Sequence, residues 1–462
     1  MKSVLLITTP SPYLLSDKAI VPLGILYVAS MLREQGYLVE VLDLTGVKDY
    51  DKKVLEYAAK NYDAYGLTAT SPDLGQAINI LNLIKSVSST NKVILGGPHA
   101  TVGPQTCLKY GFDKIVQGDG WTGAKMAIED DSNNKLILAP MFKNFDDVPF
   151  PARDLIDMSS YEYYIGGVSA TNVMTQLGCP YGCVFCCGRS IPEYRQMRLR
   201  SISNVMKELD MLNDKYGFTS FMIYDDELNI VKKRTLELMQ EFKKRKWTFR
   251  GYIKTNLFDD ETAKAMAEGG AFELSTGVES GSDRILKTIE KQTTYEINKK
   301  FVELCRKYGI KSKAFSIVGL PGETYDDVML TKKWILDAKP DYFTISINTP
   351  YPGSPEYDNK EKYDLEFGEI DYATEVASHS TYGKKEWKSF VRTSGLSSEQ
   401  LVKLRDEIDS DCRKQLGYAF PAGEGGHGSK NADPYEGSMG QGLNDHLLKI
   451  SNFRESDTFK DG

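Results

Sequence analysis

Apolar and polar positions over the first 130 residues follow a pattern that predicts strands separated by amphipathic helices. Short apolar runs predict five strands, at 3–9, 38–44, 64–70, 92–96 and 114–117. Apolar positions at helical spacing lie between them, for example over 24–35 and 73–86. Strands that alternate with helices form a parallel sheet covered on both faces. We therefore predict an α/β fold that begins with a doubly wound, Rossmann-like sheet of five parallel strands, whose ligand lies beyond their carboxyl ends.

A second alternation of strands and helices begins near residue 169. It predicts six strands, at 171–177, 220–224, 248–254, 272–277, 313–318 and 342–348. Amphipathic stretches separate these strands, as over 203–216 and 232–244. Six such units predict a partial (β/α)6 TIM barrel, in which the chemistry belongs at the carboxyl ends of the strands.

The remaining segments differ from both alternations. Residues 131–168 are less periodic and more polar, so we assign domains to 1–130 and 169–370 with a linker between them. Residues 371–462 are predicted to form a helical carboxyl-terminal region, because 397–416 begins with Ser-Ser-Glu-Gln, a typical helix start. From Ala422 onward the chain is rich in Gly, Ser, Asn and Asp, which predicts a disordered tail or a mobile lid over the substrate.

Length, charge and cysteine content narrow the class of protein. The chain has 462 residues and a net charge of −7, which argues against nucleic acid as an electrostatic partner. We find no signal-peptide pattern and no apolar stretch of the ~20 residues that span a bilayer. Seven cysteines, four of them within nine residues, do not resemble a disulfide framework. The composition therefore predicts a cytoplasmic, reduced protein.

The four clustered cysteines lie in the run from Gly178 to Cys187. Cys179, Cys183 and Cys186 have the spacing CxxxCxxC. Thiolates select iron–sulfur clusters, zinc or copper(I), and zinc usually needs a further ligand pair that is absent elsewhere in the sequence. Three cysteines can hold a [4Fe–4S] cluster with one iron open, although ligation by four cysteines is commoner. The alternative is a chance cluster of buried cysteines.

This spacing, with Phe185 before the third cysteine, resembles the signature of radical S-adenosylmethionine (SAM) enzymes. Residues 169–350 carry further motifs in that family's order. The resemblance implies a [4Fe–4S] cluster held by Cys179, Cys183 and Cys186, whose open iron binds SAM. It also implies that SAM is cleaved to a 5′-deoxyadenosyl radical, which abstracts hydrogen from the substrate.

The same resemblance implies roles for residues at the ends of later strands. Asp226 and Glu227 would lie near the SAM amino group, with a solvated acidic helix start as the alternative. Glu279 would accept hydrogen bonds from the ribose, and the backbone of Val318 and Gly319 would flank the adenine. Lys254 could face SAM or a substrate carboxylate, as could Arg198 and Arg200, or all three could form surface salt bridges. Cys187 is either a bystander beside the cluster or a donor of a hydrogen atom to a product radical.

The first domain lacks the GxGxxG sequence of dinucleotide-binding folds. It resembles cobalamin-binding domains instead. The resemblance implies that Thr68 and Thr70 contact the nucleotide tail of cobalamin, and that Gly96 and Gly97 leave room for it. No histidine lies in 9–24 to bind cobalt from below, so a vestigial domain without cobalamin is an alternative. His99 is interpreted as a structural residue or a tail contact rather than a cobalt ligand.

Taken together, residues 1–370 resemble the cobalamin-dependent radical SAM family. The resemblance implies a methyltransferase that uses SAM, a [4Fe–4S] cluster and cobalamin to methylate an unactivated carbon of a small-molecule or lipid substrate, or a phosphinate phosphorus. It also implies a flavodoxin- or ferredoxin-type electron donor. Two alternatives stay open: a non-methylating relative that performs sugar dehydration or deoxygenation, ring contraction or oxidative cyclisation, and a non-enzymatic sensor.

Overall fold

Six parallel strands form the first sheet, in the order β2-β1-β3-β4-β5-β6. The structure is a computed structural model that describes residues 1–11, 17–375 and 388–418. The predicted tail from Ala422 lies outside the described residues. The strands are β1 (Ser3–Ile7), β2 (Leu38–Leu42), β3 (Ala64–Thr68), β4 (Val93–Gly96), β5 (Lys114–Gln117) and β6 (Leu136–Leu138).

Both faces of this sheet are covered, as the alternation predicted. On β1, Val4 and Leu6 join a core cluster with α1 and α6, whereas Leu5 and Ile7 join a cluster with α2 and α3 on the opposite face. The helices are α1 (Leu23–Glu34), α2 (Asp51–Ala58), α3 (Leu74–Val87), α4 (Pro98–Val102), α5 (Pro104–Cys107) and α6 (Gly120–Glu129).

Strand β6 was not anticipated, because the sequence analysis predicted five strands and placed this stretch in the linker. Residues 136–138 form only a three-residue apolar run between polar neighbours, too short for a recognisable alternation. The strand pairs in parallel with β5, with Ile137 opposite Val116. It therefore extends the sheet by one edge strand.

The second sheet has seven strands in the order β15-β14-β13-β12-β11-β8-β7 and forms the wall of a partial barrel. Strands β8 and β11–β15 are parallel, and β7 pairs antiparallel with β8. A separate two-stranded ribbon joins β9 and β10. The strands are β7 (Tyr164–Ile165), β8 (Val168–Val173), β9 (Gln176–Leu177), β10 (Arg198–Leu199), β11 (Ser220–Ile223), β12 (Thr248–Tyr252), β13 (Ala271–Glu279), β14 (Lys311–Val318) and β15 (Tyr342–Ile347).

The predicted first barrel strand at 171–177 is divided between β8 and β9. Buried Asp225 accepts hydrogen bonds from the backbone nitrogens of Thr175 (2.6 Å) and Gln176 (3.2 Å). These bonds satisfy two donors that would otherwise belong to the sheet ladder, so the chain leaves the barrel sheet after Val173. The break directs residues 176–187 towards the first domain.

Helices cover the outer face of the barrel sheet, and several begin at capping side chains. Ser201 accepts from the nitrogen of Asn204 at the start of α8, and Ser397 forms a capping box with Gln400 at the start of α15. The helix predicted over 397–416 is thus confirmed. The helices are α7 (Pro192–Arg195), α8 (Ile202–Tyr216), α9 (Lys232–Arg245), α10 (Asp260–Glu268), α11 (Asp283–Thr288), α12 (Tyr295–Tyr308), α13 (Tyr325–Ala338), α14 (Pro355–Asp358) and α15 (Ser398–Leu416). No helix in the described part of the chain has both the length and the apolar character to cross a membrane.

A buried polar network joins the connecting segment and the first half to the barrel half. Glu208 on α8 accepts from Arg153 of the connecting segment and from Arg200, each at 2.5 Å, and all three side chains are almost fully buried. Although burial raises the pKa of Glu208, the two guanidinium groups outweigh it and hold that pKa below its ordinary value. Nearby, the side-chain amide of Asn172 on β8 pairs with both backbone polar groups of Val21, just before α1. We define Arg153, Glu208, Arg200 and Asn172 as the junction network.

We expect Glu208→Gln to lower the free energy of unfolding by about 3–5 kcal/mol, because it leaves two buried guanidinium groups without a counter-charge. The measurement is the denaturant dependence of the far-ultraviolet circular dichroism signal. The matched control is Glu366→Gln, which removes an ion pair with Arg392 whose side chains are 65% and 61% exposed. The control should cost less than about 1 kcal/mol. Equal losses in the two variants would contradict a structural role for the junction network.

Candidate active site

A cavity of about 550 Å³ lies between the two halves, at the carboxyl ends of strands from both sheets. From the first half it is lined by the loops after β3, β4 and β5 and by the inner side of α1 and α6. From the second half it is lined by the cysteine loop, defined here as residues 178–188, and by neighbouring side chains. Both alternations therefore contribute to one cavity, at the edge where doubly wound sheets and barrels bind ligands.

All four cysteines of the cysteine loop line this cavity: Cys179, Cys183, Cys186 and Cys187. Hydrogen bonds to other segments hold the loop in place. The Gly178 nitrogen donates to Asp226 (2.8 Å), the Cys179 nitrogen donates to the Tyr194 carbonyl (2.8 Å), and the Val184 nitrogen donates to the Ile289 carbonyl (3.0 Å). Gly178 has φ +89°, and a Cβ there would lie 2.3 Å from the Gln196 carbonyl, so this turn requires glycine.

The donor set fits an iron–sulfur cluster. The cysteines are free thiols, and burial raises the pKa of Cys179 to about 11, so metal binding must displace a proton. Within the described residues, no three His, Cys, Asp or Glu side chains converge as a site for one metal ion. In a [4Fe–4S] cluster each cysteine binds a different iron, and Cys179, Cys183 and Cys186 all line one cavity.

Asp226 and Glu227 lie in the loop that follows β11. Asp226 lines the cavity, where one carboxylate oxygen accepts from the Gly178 nitrogen. Glu227 is partly buried outside the cavity lining, and burial raises the pKa of its carboxyl to about 7 despite the lowering effect of Lys291 and Lys254. The structure thus brings the two predicted carboxylates to the base of the cysteine loop.

Glu279 and Lys254 both contact Lys291, a residue that the sequence analysis missed. Glu279 ends β13 with φ +63° and accepts from Lys291 Nζ at 2.7 Å. Lys254 Nζ donates to the Lys291 carbonyl at 2.8 Å and lies 4.1 Å from the centroid of the Tyr181 ring in the cysteine loop. A buried Glu279 needs a positive partner, which could have prompted a search for a lysine or arginine. The sequence alone did not show that this partner is Lys291. Neither Glu279 nor Lys254 is among the residues lining the cavity.

The loop after β14 is held by its own glutamate. Glu323 is fully buried and accepts from the Gly319 nitrogen at 2.6 Å, and burial raises the pKa of its carboxyl to about 8. Val318 is also fully buried, and its carbonyl accepts from the Asn348 nitrogen at 2.8 Å. Val318 and Gly319 lie outside the cavity lining, so their predicted contact with adenine stays a prediction.

The first half supplies a glycine-lined apolar slot. Thr68, Gly96 and Gly97 all line the cavity. A Cβ at Gly97, which has φ +92°, would lie 2.3 Å from Thr68 Oγ1, so a side chain there would collide with the loop after β3. Strands and helices continue the slot into the domain with apolar side chains: Leu6, Val28, Leu32, Ile94 and Val116. A bulky, flat nucleotide tail fits such a slot, because close backbone approach and apolar walls are its main requirements.

Thr70 and His99 lie apart from this slot. Thr70 Oγ1 donates to Asp73 (2.5 Å) beside the start of α3. The His99 ring is fully buried, and its nitrogens bond to Ser71 Oγ (2.8 Å) and Thr106 Oγ1 (2.9 Å). Of the two roles considered for His99, this geometry fits the structural one.

Comparison with known proteins identifies a known domain in each half. Residues 16–125 match the B12 binding domain, and residues 173–335 match the radical SAM superfamily. An uncharacterized methyltransferase of Pyrococcus horikoshii is 30% identical, with 72% of this chain and 77% of that protein covered. The anaerobic magnesium-protoporphyrin IX monomethyl ester cyclase of Rubrivivax gelatinosus is 26% identical over 75% of this chain and 68% of its own.

A solved structure shares the architecture of most of the chain. The radical SAM methyltransferase TsrM from Kitasatospora setae, with cobalamin and a [4Fe–4S] cluster bound, superposes with a TM-score of 0.66. The match covers 88% of this chain and 91% of that one at 18% identity. At this identity the likeness establishes the fold.

We expect Gly24→Phe to abolish cobalamin binding without loss of iron. Gly24 lines the cavity in the first turn of α1, and a Cβ there would have no heavy atom within 4 Å, so the ring would enter the slot without disturbing the fold. The measurement is cobalamin and iron content after anaerobic reconstitution. Gly24→Ala is the matched control and should retain both, because alanine is preferred to glycine in helices by about 1 kcal/mol. Full cobalamin content in Gly24→Phe would contradict the assignment of the slot.

We also expect an acid-dependent loss of stability that originates at His99. Burial lowers the pKa of its imidazole from 6.5 to about 4. Between these values the unfolded chain binds more protons than the folded chain, so stability falls as the pH falls through this window, by about 3 kcal/mol in all. Urea unfolding of the native protein and of His99→Gln, from pH 7.5 to 4.5, measures the difference. Parallel pH profiles for the two proteins would contradict a neutral buried imidazole.

Proposed function

Since the chain belongs to the radical SAM enzymes that carry a B12-binding domain, we propose that it is a cobalamin-dependent methyltransferase acting on an unactivated carbon of a small-molecule or lipid substrate. The two domains imply SAM, a [4Fe–4S] cluster and cobalamin. When bound, the cluster supplies the electron that cleaves SAM to a 5′-deoxyadenosyl radical, and cobalamin carries the methyl group. The single observation behind the proposal is that the cysteine loop and the glycine slot line one cavity.

Different residues of the protein would bind the cluster, cobalamin and SAM. Cys179, Cys183 and Cys186 would hold the cluster, and Thr68, Gly96 and Gly97 would admit cobalamin. Asp226 lies beside the cysteine loop, where its carboxylate can accept from the SAM ammonium group, and Glu227 stands next to it. Glu279, held by Lys291, would accept from the ribose, with Val318 and Gly319 beside the adenine. The Lys254 ammonium would add positive charge near the SAM carboxylate.

The character of the cavity supports a substrate with an apolar body. Trp121, Met174, Tyr181, Tyr194 and Tyr224 line the region between the two halves. Aromatic and thioether side chains bind apolar molecules and exclude water. Cys187 lines the same cavity, where its thiol can serve either predicted role, as a bystander or as a hydrogen-atom donor. The flavodoxin- or ferredoxin-type electron donor is proposed from the family alone.

A non-methylating reaction is the second candidate. The relative from Rubrivivax gelatinosus is named as a cyclase and aligns with most of this chain. A cyclase would use the same cysteine loop to generate the radical but would not transfer a methyl group. The two candidates therefore differ in one product, S-adenosylhomocysteine, which forms only when SAM gives up its methyl group.

We expect the reconstituted protein, incubated anaerobically with SAM and a reductant, to form both 5′-deoxyadenosine and S-adenosylhomocysteine. The first product reports radical formation, and the second reports methyl transfer. Both are quantified by liquid chromatography with mass spectrometry. Cys183→Ala should lose 5′-deoxyadenosine, because it removes one of three cluster ligands.

Gly24→Phe serves as the complementary variant in this experiment. It should retain 5′-deoxyadenosine formation and lose S-adenosylhomocysteine, because only its cobalamin slot is filled. Formation of 5′-deoxyadenosine alone by the native protein, at full cobalamin content, would overturn the methyltransferase proposal and favour the cyclase-like reaction. Unchanged products in Cys183→Ala would overturn radical chemistry altogether.

A further inference from the structure

A buried ion pair crosses from the first half of the molecule to the second at the edge of the cavity. Asp119 lies in the loop between β5 and α6, and Arg198 opens β10. Arg198 Nη1 is 2.5 Å from Asp119 Oδ2, and the side chains are only 5% and 10% exposed. Both residues line the cavity. Arg198 therefore does not form the surface salt bridge considered from the sequence.

The same two side chains also form hydrogen bonds with the segment that connects the halves. Asp119 Oδ2 accepts from the Phe142 nitrogen at 2.7 Å, and Arg198 Nη1 donates to the Phe142 carbonyl at 3.2 Å. The guanidinium group lies 5.7 Å from the centroid of the Trp121 ring, which itself lines the cavity. One residue of the connecting segment is thus fixed by both members of the pair.

Each member of the pair lies directly beside one of the two binding loops. Arg198 is opposite Leu177 in the β9–β10 ribbon, and Leu177 is two residues before Cys179. Arg198 Nη2 also donates to the Glu193 carbonyl. The next residue, Tyr194, accepts from the Cys179 nitrogen through its own carbonyl. Asp119 is flanked by Gly118 and Gly120, which line the cobalamin side of the cavity. The pair therefore links the loop before α6 directly to the ribbon that precedes the cysteine loop.

We propose that Asp119 and Arg198 are positioning residues that set the separation between bound cobalamin and the cluster held by the cysteine loop. This inference rests on the proposed function, since it concerns the alignment of its two cofactors. A buried charge-assisted pair is short and directional, which suits it to fix a distance. The reaction needs that precision, because a misplacement of about 1 Å can cost on the order of a hundredfold in rate.

The first test uses Asp119→Asn and the protein without cofactors. We expect backbone amides of peptides covering 176–187 to exchange with deuterium faster, on the order of tenfold, because the cysteine loop loses its anchor in the other half. Asp409→Asn is the matched control. Asp409 pairs with Arg413 on α15, with side chains 1% and 5% exposed, and it lies outside the cavity lining. It should leave exchange in 176–187 unchanged.

The second test is spectroscopic and uses the loaded protein. Pulsed electron paramagnetic resonance measures the magnetic interaction between cobalt(II) and the reduced cluster, which depends on their separation. Asp119→Asn and Arg198→Lys should retain iron and cobalamin but show a broader distribution of this magnetic interaction, because the separation of cobalt and cluster varies more. Asp409→Asn should match the native protein. Lysine keeps the charge of arginine but loses its planar fork, so Arg198→Lys tests geometry rather than charge.

The outcomes separate this inference from the proposed function. Native-like exchange in Asp119→Asn, or a native-like magnetic interaction in both cavity variants, would overturn the positioning role. Failure of the native protein to bind cobalamin would overturn the proposed function, while the exchange measurement would still decide whether the pair anchors the cysteine loop. Should Asp119→Asn fold poorly, Arg198→Lys carries the same exchange test.

Discussion

A buried charge network ties the segment that connects the two halves to the barrel half, beside a neutral amide contact that reaches the first half. Glu208 lies between the guanidinium groups of Arg153 and Arg200, and Asn172 satisfies both backbone polar groups of Val21. Removing one sign from such a network leaves an uncompensated charge away from water, so both signs are needed to keep the connecting segment packed against the barrel half. The apolar core reinforces this, since the cluster that contains Leu26 of α1 continues to Phe221 and Phe249 in the barrel sheet.

Charges of both signs surround the cysteine loop, and their arrangement explains how a zwitterionic ligand could be bound there. Carboxylates from Asp226, Glu227 and Glu279 approach from the ends of β11 and β13, while the ammonium groups of Lys254 and Lys291 lie among them. Neither sign dominates, so under the proposed function an amino acid head group would meet acceptors and donors at once. The apolar slot of the first half has a different character, because backbone approach and shape, rather than charge, determine what fits it.

Local patterns in the sequence predicted most of the architecture, whereas contacts between distant segments could not be derived from it. The strand–helix alternation predicted both sheets. The spacing of Cys179, Cys183 and Cys186 predicted three cluster ligands, and that role stays a prediction, although all three side chains line one cavity. The division of the strand at 171–177 depends on Asp225, about fifty positions later in the chain. Lys291 as the partner of Glu279 and Asp119 as the partner of Arg198 likewise depend on tertiary packing, which no local pattern encodes.

The apolar slot also links cofactor supply to the folding of the first half. Its walls come from β1, β4, β5, α1 and α6, so a nucleotide tail seated there becomes part of the packing between the sheet and these two helices. A ligand that binds only the folded state adds RT ln(1 + [L]/Kd) to stability, which reaches about 4 kcal/mol at a thousandfold excess over Kd. Cells that make this protein without enough cobalamin would therefore accumulate less of it, through faster proteolysis of a loosened amino-terminal half.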